Sequence, residues 1–283
     1  MKRVVFPAMG TSIDVTAPTR GDIGATRQLF EDVERLCSRF LPESELTRIN
    51  DDPGVRIPIS PEMARVLQIA DRARSTTDGL VDVGVGGAVR AWGYDRTFTE
   101  VAIRHHAAVT ERSVEPEWSV EGTMLTRSPG TTIDLGGVAK GWTCDLAVER
   151  GIATVVSAGG DVRSSDPDAT VEIIDPWDAT ATTIRLGIGA LATSSVSRRR
   201  WRVGGAQANH LIDPRTMRPT SSPVLSATAI TATAVEAEAA AKAILLRGAD
   251  ALAWADRQPW IVGALVVWLD GSVYGTTGME IAA

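Results

Sequence analysis

Cysteines are few in this sequence and long apolar runs are absent. These two features argue against a small disulfide-stabilised protein and against a protein with membrane-spanning helices. The 283 residues hold only Cys37 and Cys144, too few for a disulfide framework and compatible with reduced thiols in a cytoplasm. The longest apolar stretch, residues 261–269, has about half of the ~20 residues that a membrane helix needs and predicts a buried strand. The N-terminal residues carry too short an apolar run for a signal sequence. We therefore expect a cytoplasmic protein without a membrane span.

Excess positive charge is also lacking. The formal net charge is -6 at pH 7 and the pI is about 5.2, whereas nucleic-acid-binding domains usually carry a concentrated basic face. The one basic cluster, residues 198–202, is either a solvated face or a local anion contact. We expect no nucleic-acid partner. With 44% hydrophobic and 23% charged residues, the composition is that of an ordinary globular protein.

Hydrophobic periodicity predicts a mixture of strands and helices. Residues 3–16 predict a strand bent at Met9-Gly10-Thr11. Helices are predicted over residues 22–40, with Asp22 as the N-cap, and over residues 61–75, where Ser60 and Pro61 form a start signal.

The second half of the chain continues this mixture. Residues 131–135 predict a short strand that enters a helix through Gly136-Gly137. An alanine-rich helix is predicted over residues 233–247. Because strands and helices do not alternate regularly, the pattern favours an α+β fold, and we expect one domain over residues 1–283. Further strands are predicted at residues 153–158, 170–175, 181–188, 225–232 and 261–269.

The segment DLGGVAKG, residues 134–141, carries the most informative local pattern. It brings the bare backbone N–H groups of Gly136 and Gly137, together with Lys140, to the start of a helix, an arrangement that attracts phosphate. The segment is neither the Walker sequence nor the dinucleotide fingerprint. An ordinary glycine turn into a helix is the alternative.

Two further segments suggest a site. The turn Ala158-Gly159-Gly160-Asp161 leaves room for close backbone approach, or is a tight turn in which Asp161 bonds its own backbone. His210 precedes an Asp-Pro turn, and imidazole is a side chain whose ordinary pKa lies near neutrality, although a lone histidine is often structural.

Together, in order along the chain, these segments resemble the ApbE-type FAD:protein FMN transferases. The match runs from residue 9 to about residue 248. Its parts are Met9-Gly10-Thr11; Cys37-Ser38-Arg39-Phe40, Ser44-Glu45-Leu46 and Asn50; Asp78-Gly79 with Asp82; Ala91-Trp92-Gly93-Tyr94; residues 134–141 with Asp145; residues 158–161; Ala192-Thr193-Ser194; and His210-Leu211-Ile212-Asp213-Pro214.

The resemblance implies an α+β unit that binds FAD, cleaves its pyrophosphate and places FMN on a Thr or Ser of another protein, releasing AMP. FAD and a protein acceptor are therefore the expected partners. By resemblance, Met9 lies near the isoalloxazine and His210 assists the acceptor hydroxyl. The residues expected along the dinucleotide are Ser38, Asp82, Lys140, Gly160 and Thr193, with the amides of Gly136 and Gly137 at the phosphates. Such a reaction requires cations for the pyrophosphate oxygens and a base for the hydroxyl.

The chain departs from the resemblance at the expected magnesium site. The family supplies an Asp and, four residues later, a Thr from a late helix, with a main-chain carbonyl from the glycine turn, here Gly137. Those helix positions hold Glu238 and Lys242. One interpretation is an ion pair on a helix surface, worth ~0.2–0.5 kcal/mol. Another is that the Lys242 ammonium takes the place of the metal beside Glu238, as a point charge that assists catalysis.

Loss of the metal would also fit two other functions. A non-catalytic FAD-binding protein would have kept the groove without the transfer, and a hydrolase would split FAD into FMN and AMP. Ser195 and Met217 stand where the family usually has glycine, which predicts altered turn geometry.

Overall fold

The computed structural model describes residues 1–101, 116–174, 176–177, 180–276 and 279. Residues 102–115, which include His105 and His106, lie outside this description. The helices are α1 Arg20–Cys37, α2 Glu45–Asp51, α3 Pro61–Thr76, α4 Gly86–Ala91, α5 Ala139–Glu149, α6 Ala234–Arg247 and α7 Ala251–Asp256. The strands are β1 Lys2–Ala8, β2 Thr11–Ala17, β3 Arg56–Pro58, β4 Trp118–Glu121, β5 Met124–Arg127, β6 Val155–Ala158, β7 Asp161–Ser164, β8 Thr170–Ile174, β9 Thr180–Arg185, β10 Gly189–Ser195, β11 Arg200–Val203, β12 Ala206–Asn209, β13 Ile212–Asp213, β14 Arg218–Pro219, β15 Val224–Thr231, β16 Gly263–Trp268 and β17 Val273–Gly275.

Two compact units make up the chain. The first combines Met1–Asp32, Lys140–Arg198 and Ser222–Ala283, and the second combines Val33–Ala139 and Arg199–Ser221. Helices and strands mix in both units without regular alternation, which confirms the predicted α+β class. The single domain stays a prediction.

An eight-stranded sheet, in the order β1-β2-β6-β7-β10-β15-β16-β17, forms the frame of the first unit. Every residue of β15, a central strand of this sheet, is buried. Helix α6 packs on β10 and β15. The alanines of α6, buried at Ala237, Ala240 and Ala241, have side chains short enough for the helix backbone to approach the sheet closely.

A two-residue turn joins β1 to β2. Ala8 pairs with Thr11, and the intervening Met9 and Gly10 have φ of 49° and 68°. Positive φ at both central positions is typical of the type I′ turn, whose twist matches that of the flanking strands. The bend predicted at this position is confirmed.

Side chains begin the main helices. Helix α3 starts after Ser60, whose Oγ accepts a hydrogen bond from Met63 N at 3.1 Å, as predicted. The predicted cap of α1 was wrong by one turn. Thr19 precedes the helix, and its Oγ1 accepts a hydrogen bond from Asp22 N at 3.2 Å while the Asp22 carboxylate accepts one from Thr19 N at 2.9 Å. Asp22 is therefore the inner partner of a capping box.

The second unit is built from smaller sheets, β3-β5-β4, β11-β12 and β13-β14. An apolar cluster that contains Tyr94, Trp201 and Ile212 forms its core, with Met217 packed against it. Met217 has φ 55°, the left-handed conformation that glycine adopts without steric cost. Met217 therefore keeps a backbone conformation suited to glycine.

The strand predicted at residues 131–135 is wrong. This segment makes a single isolated bridge, between Thr132 and Val85. The Asn50 side chain instead forms the hydrogen bonds of the Ile133 backbone. Its amide nitrogen donates to Ile133 O and its amide oxygen accepts from Ile133 N, each at 2.8 Å. The other predicted strands and helices are present within a few residues of their expected bounds.

Among the described residues, the helices are all too short or too polar to span a bilayer. The cytoplasmic location and the absence of a nucleic-acid partner stay predictions.

Candidate active site

A chain of alternating charges lies in the first unit. Lys140 Nζ lies 3.0 Å from Asp161 Oδ2 and 2.9 Å from Glu238 Oε1. Lys242 Nζ lies 2.9 Å from the same Glu238 oxygen. The two carboxylate side chains are 5% and 4% exposed, and the two lysine side chains are 15% and 17% exposed. We call these four residues the two-lysine cluster.

Three elements bring the two-lysine cluster together. Lys140 stands in the first turn of α5, Asp161 begins β7, and Glu238 and Lys242 lie one helical turn apart on α6. Asp161 follows the turn at Gly160, which has φ 108° and accepts a hydrogen bond from Thr193 N at 3.1 Å. The interpretation in which Asp161 only closes its own turn is therefore incomplete, because its carboxylate meets Lys140.

Asp145 connects α5 to the beginning of α6. Its carboxylate accepts hydrogen bonds from the amides of Ala234 at 2.8 Å and Val235 at 3.1 Å, two of the donors that a helix N-terminus leaves without an internal partner. Arg163 Nε lies 3.2 Å from the same carboxylate. Asp145 thus holds α6 beside α5, which sets the position of Glu238 relative to Lys140.

Burial and pairing change the protonation equilibria of the cluster. Burial would raise the pKa of Glu238, but the ammonium groups of Lys140 and Lys242 lower it to about 2. Burial and the nearby Glu238 carboxylate raise the pKa of Asp161 to about 6, against the effect of Lys140. Burial would lower the pKa of Lys140, but the Asp161 and Glu238 carboxylates together raise it well above its ordinary value. Glu238 is therefore ionised and Lys140 is protonated at neutral pH.

In the second unit, Asp134 organises the glycine turn. Its Oδ1 accepts a hydrogen bond from Gly136 N at 2.8 Å, and its Oδ2 lies 3.0 Å from Arg39 Nε. The Arg39 guanidinium lies over the rings of Phe40 and Tyr94, at 4.1 and 4.5 Å from their centroids. Three of the segments on which the resemblance rests, at residues 37–40, 91–94 and 134–141, therefore contact one another.

Comparison with known proteins places the chain in a family. A sequence profile described as the ApbE family matches residues 9–266. The chain belongs to the ApbE family. It is 27% identical to a FAD:protein FMN transferase of Vibrio cholerae, over 86% of this chain and 80% of that protein. It is 31% identical to a FAD:protein FMN transferase of Rhodobacter capsulatus, over 97% of this chain and 57% of that longer protein.

Solved structures agree in fold. The ApbE protein of Thermotoga maritima superposes with a TM-score of 0.82 at 24% identity, covering 98% of this chain and 97% of that one. The flavin transferase ApbE of Vibrio cholerae gives 0.80 at 23% identity, with the same coverage. The resemblance drawn from the sequence motifs is confirmed.

The magnesium site expected of an ApbE protein does not fit the residues present. Among the described residues, no group of three His, Cys, Asp or Glu side chains is arranged to hold a metal. Glu238 Oε1 is engaged by two ammonium groups. Mg²⁺ requires near-octahedral oxygen coordination, and a dication at Glu238 would meet two positive charges that already lie within bonding distance of Glu238 Oε1. The ion pair expected between Glu238 and Lys242 is present, but its expected place on the helix surface is wrong, because Glu238 is buried.

The predicted FAD-contacting residues divide between the two units. Met9, Lys140, Gly160 and Thr193 lie in the first unit. Thr193 Oγ1 lies 2.9 Å from Thr228 Oγ1, and Met9 Sδ accepts a weak contact from Thr143 Oγ1 at 3.9 Å. The structure thus brings Lys140 to the two-lysine cluster, and it gives Met9 and Thr193 hydroxyl neighbours. Their contacts with FAD stay predictions.

The other predicted residues, Ser38, Asp82, Gly136, Gly137 and His210, lie in the second unit. Ser38 Oγ accepts a hydrogen bond from Phe40 N at 3.2 Å. Asp82 Oδ1 accepts hydrogen bonds from Trp118 Nε1 and Gly84 N, both at 2.7 Å. Half-buried His210 directly follows β12. Ser38, Asp82 and Gly136 each stabilise their own loop, and their roles toward FAD also stay predictions.

Sequence reasoning missed the roles of Arg39, Asp145 and Asp161. All three belong to segments that carried the resemblance, so their presence was noted without their partners. Their partners lie far away along the chain, as with Asp145 and Ala234, 89 positions apart. No local pattern encodes such a pair.

Proposed function

We propose that this chain transfers FMN from FAD to a Thr or Ser hydroxyl of an acceptor protein and releases AMP. Membership of the ApbE family and the transferase names of its relatives support this reaction. The structural observation that carries the proposal is the two-lysine cluster, in which Lys140 meets Asp161 and Glu238. Three distant segments thereby fix two ammonium groups in place, and ammonium groups form strong charge-assisted hydrogen bonds to phosphate oxygens.

The reaction exchanges one bond to phosphorus for another. The acceptor oxygen forms a bond to the FMN phosphorus, and the bond from that phosphorus to the oxygen of AMP breaks. AMP leaves with the bridging oxygen, and the hydroxyl proton passes to a base. Charge shifts onto the leaving phosphate, so fixed cations nearby stabilise the transition state more than the bound substrate.

The roles of individual residues form part of this proposal. His210 accepts the hydroxyl proton, since an imidazole titrates near neutral pH. Lys140 and Lys242 supply positive charge to the diphosphate. The remaining contacts with FAD are assigned to Met9, Ser38, Asp82, Gly136, Gly137, Gly160 and Thr193.

One assay tests the proposal against its alternatives. The purified protein is incubated with FAD and the acceptor domain of a protein that carries covalent FMN, with Mg²⁺ in one arm and EDTA in another. We expect in-gel flavin fluorescence of the acceptor together with AMP in equal amount. AMP and free FMN without labelled acceptor would indicate a hydrolase. FAD binding without either product would indicate a non-catalytic binding protein. Absence of FAD binding in both arms would contradict all three functions, the transferase, the hydrolase and the binding protein.

A further inference from the structure

Lysine is scarce in this chain, and its placement is selective. Among 29 basic residues, lysine occurs only at positions 2, 140 and 242. The two internal lysines donate to one atom, Glu238 Oε1, each at 2.9 Å. An ammonium is a compact charge that acts on phosphate as a point charge, whereas arginine presents a planar fork. Two compact charges thus lie on one carboxylate oxygen in a protein that otherwise relies on arginine.

The lysine side chains contribute most of the exposed part of the cluster. The Glu238 and Asp161 side chains are 4% and 5% exposed, against 15% for Lys140 and 17% for Lys242. A ligand that approaches this part of the cluster therefore meets the lysine side chains before the carboxylates. The carboxylates hold both ammonium groups in fixed positions, so their charge is available without reorganisation when an anion binds.

A divalent cation has no comparable place here. Both amines on Glu238 Oε1 carry positive charge, and repulsion between like charges is strong where burial lowers the effective dielectric. The second oxygen of Glu238 is buried and has no hydrogen-bond partner among the described residues. Mg²⁺ is commonly held by one or two carboxylates together with waters and substrate phosphates, so it is the two ammonium groups at Glu238 Oε1, and not the number of ligands, that exclude the cation.

We propose that Lys140 and Lys242 hold the diphosphate of FAD in place of a divalent cation, so that this chain binds and uses FAD without magnesium. The identity of the diphosphate rests on the proposed function; the exclusion of the cation rests on the cluster alone. Glu238 is then a positioning residue, which holds the two ammonium groups at one point.

The first experiment measures FAD binding by quenching of flavin fluorescence, in EDTA and in Mg²⁺. We expect the two dissociation constants of the wild-type protein to agree within about twofold, and calorimetry without FAD to detect no Mg²⁺ binding. Lys242→Thr should weaken FAD binding about tenfold or more. Lys242→Arg keeps the charge and should retain most of the affinity, and Lys2→Thr, at an exposed position of β1, is the matched control.

The second experiment restores the side chains expected of a metal site. Glu238→Asp combined with Lys242→Thr removes one ammonium and places an Asp and a Thr one helical turn apart. We expect this double variant to bind Mg²⁺ in calorimetry and to bind FAD more tightly in Mg²⁺ than in EDTA. Melting curves of each variant check that it folds. No gain of Mg²⁺ binding by the folded double variant would overturn the claim that the ammonium groups exclude the cation.

The two proposals fail in distinguishable ways. FAD binding by the wild-type protein in EDTA without flavin transfer would support metal-free binding and contradict the transferase. Transfer that occurs only with Mg²⁺, or a wild-type protein that binds Mg²⁺ without FAD, would leave the transferase intact and overturn the metal-free inference.

Discussion

Gly141 lies against the backbone of Ala234. A Cβ atom at Gly141 would lie 2.9 Å from the carbonyl oxygen of Ala234, closer than side-chain carbons approach backbone atoms in proteins. One turn later in α5, the Asp145 carboxylate accepts a hydrogen bond from the backbone amide of the same Ala234. Gly141 allows the start of α6 to approach α5 closely, and Asp145 bonds it there. Together they set the spacing between Lys140 and Glu238.

We expect Gly141→Ala to destabilise the protein by about 1–3 kcal/mol, because the methyl group forces α5 away from α6. Gly24→Ala is the matched control within a helix, since nothing lies within 4 Å of a Cβ at Gly24. The control should stabilise α1 by about 0.5–1 kcal/mol, the helix preference of alanine over glycine. Urea unfolding of both variants measures the difference. Equal effects would contradict the close contact at Gly141.

Stability should depend on pH through Asp145. Burial raises the pKa of Asp145 to about 6 from 3.8, against its hydrogen bonds to Ala234 and Val235 and its pairing with Arg163. The native state therefore binds more protons than the unfolded state between these values, so the stabilising contribution is present below pH 4 and is lost as pH rises to 6. The shift of about 2 units corresponds to about 3 kcal/mol.

Urea unfolding of the wild-type protein and Asp145→Asn at pH 4, 5, 6 and 7 tests this expectation. An asparagine does not ionise, so the variant should lose stability less steeply between pH 4 and pH 6. Asp161, whose pKa also rises to about 6, keeps some slope in the variant. Identical slopes for the two proteins would show that Asp145 titrates normally.

Met9 stores backbone strain in the β1–β2 turn. Its φ of 49° is uncommon for a residue with a long side chain, and Asn-Gly is the preferred sequence for a type I′ turn. Met9→Asn should therefore stabilise the protein by about 0.5–1 kcal/mol, and weaken FAD binding if Met9 packs on the isoalloxazine. Melting curves and FAD titrations measure the two effects. Unchanged FAD affinity would contradict the assignment of Met9.

His210→Ala should slow flavin transfer by about 10²–10⁴-fold, the usual contribution of a general base. FAD binding should change little, because the base acts on the acceptor hydroxyl and not on the dinucleotide. The pH profile of the transfer rate provides a second readout. The wild-type rate should fall as the imidazole becomes protonated, and the residual rate of the variant should lose that inflection. A variant that binds FAD poorly would instead place His210 in the binding site.

Local patterns predicted the four longest helices and several strands, such as β1, β2 and β15, but missed others, such as β10. Ser60-Pro61 start a helix and Met9-Gly10 form a turn, because capping and turn formation depend on neighbouring residues. The predicted strand at residues 131–135 was wrong because the Asn50 side chain, 83 positions from Ile133, takes its backbone hydrogen bonds. Propensity cannot identify a distant side chain as a partner.

The sequence by itself determined the α+β class, the family through the order of its motifs, and the substitution of Glu238 and Lys242 at the expected metal positions. The tertiary structure decided what that substitution means. A four-residue spacing predicts an ion pair but not its burial, nor the arrival of Lys140 and Asp161 from other elements. Burial and the convergence of charges depend on how α5, α6 and β7 pack, which involves contacts between residues far apart in the chain.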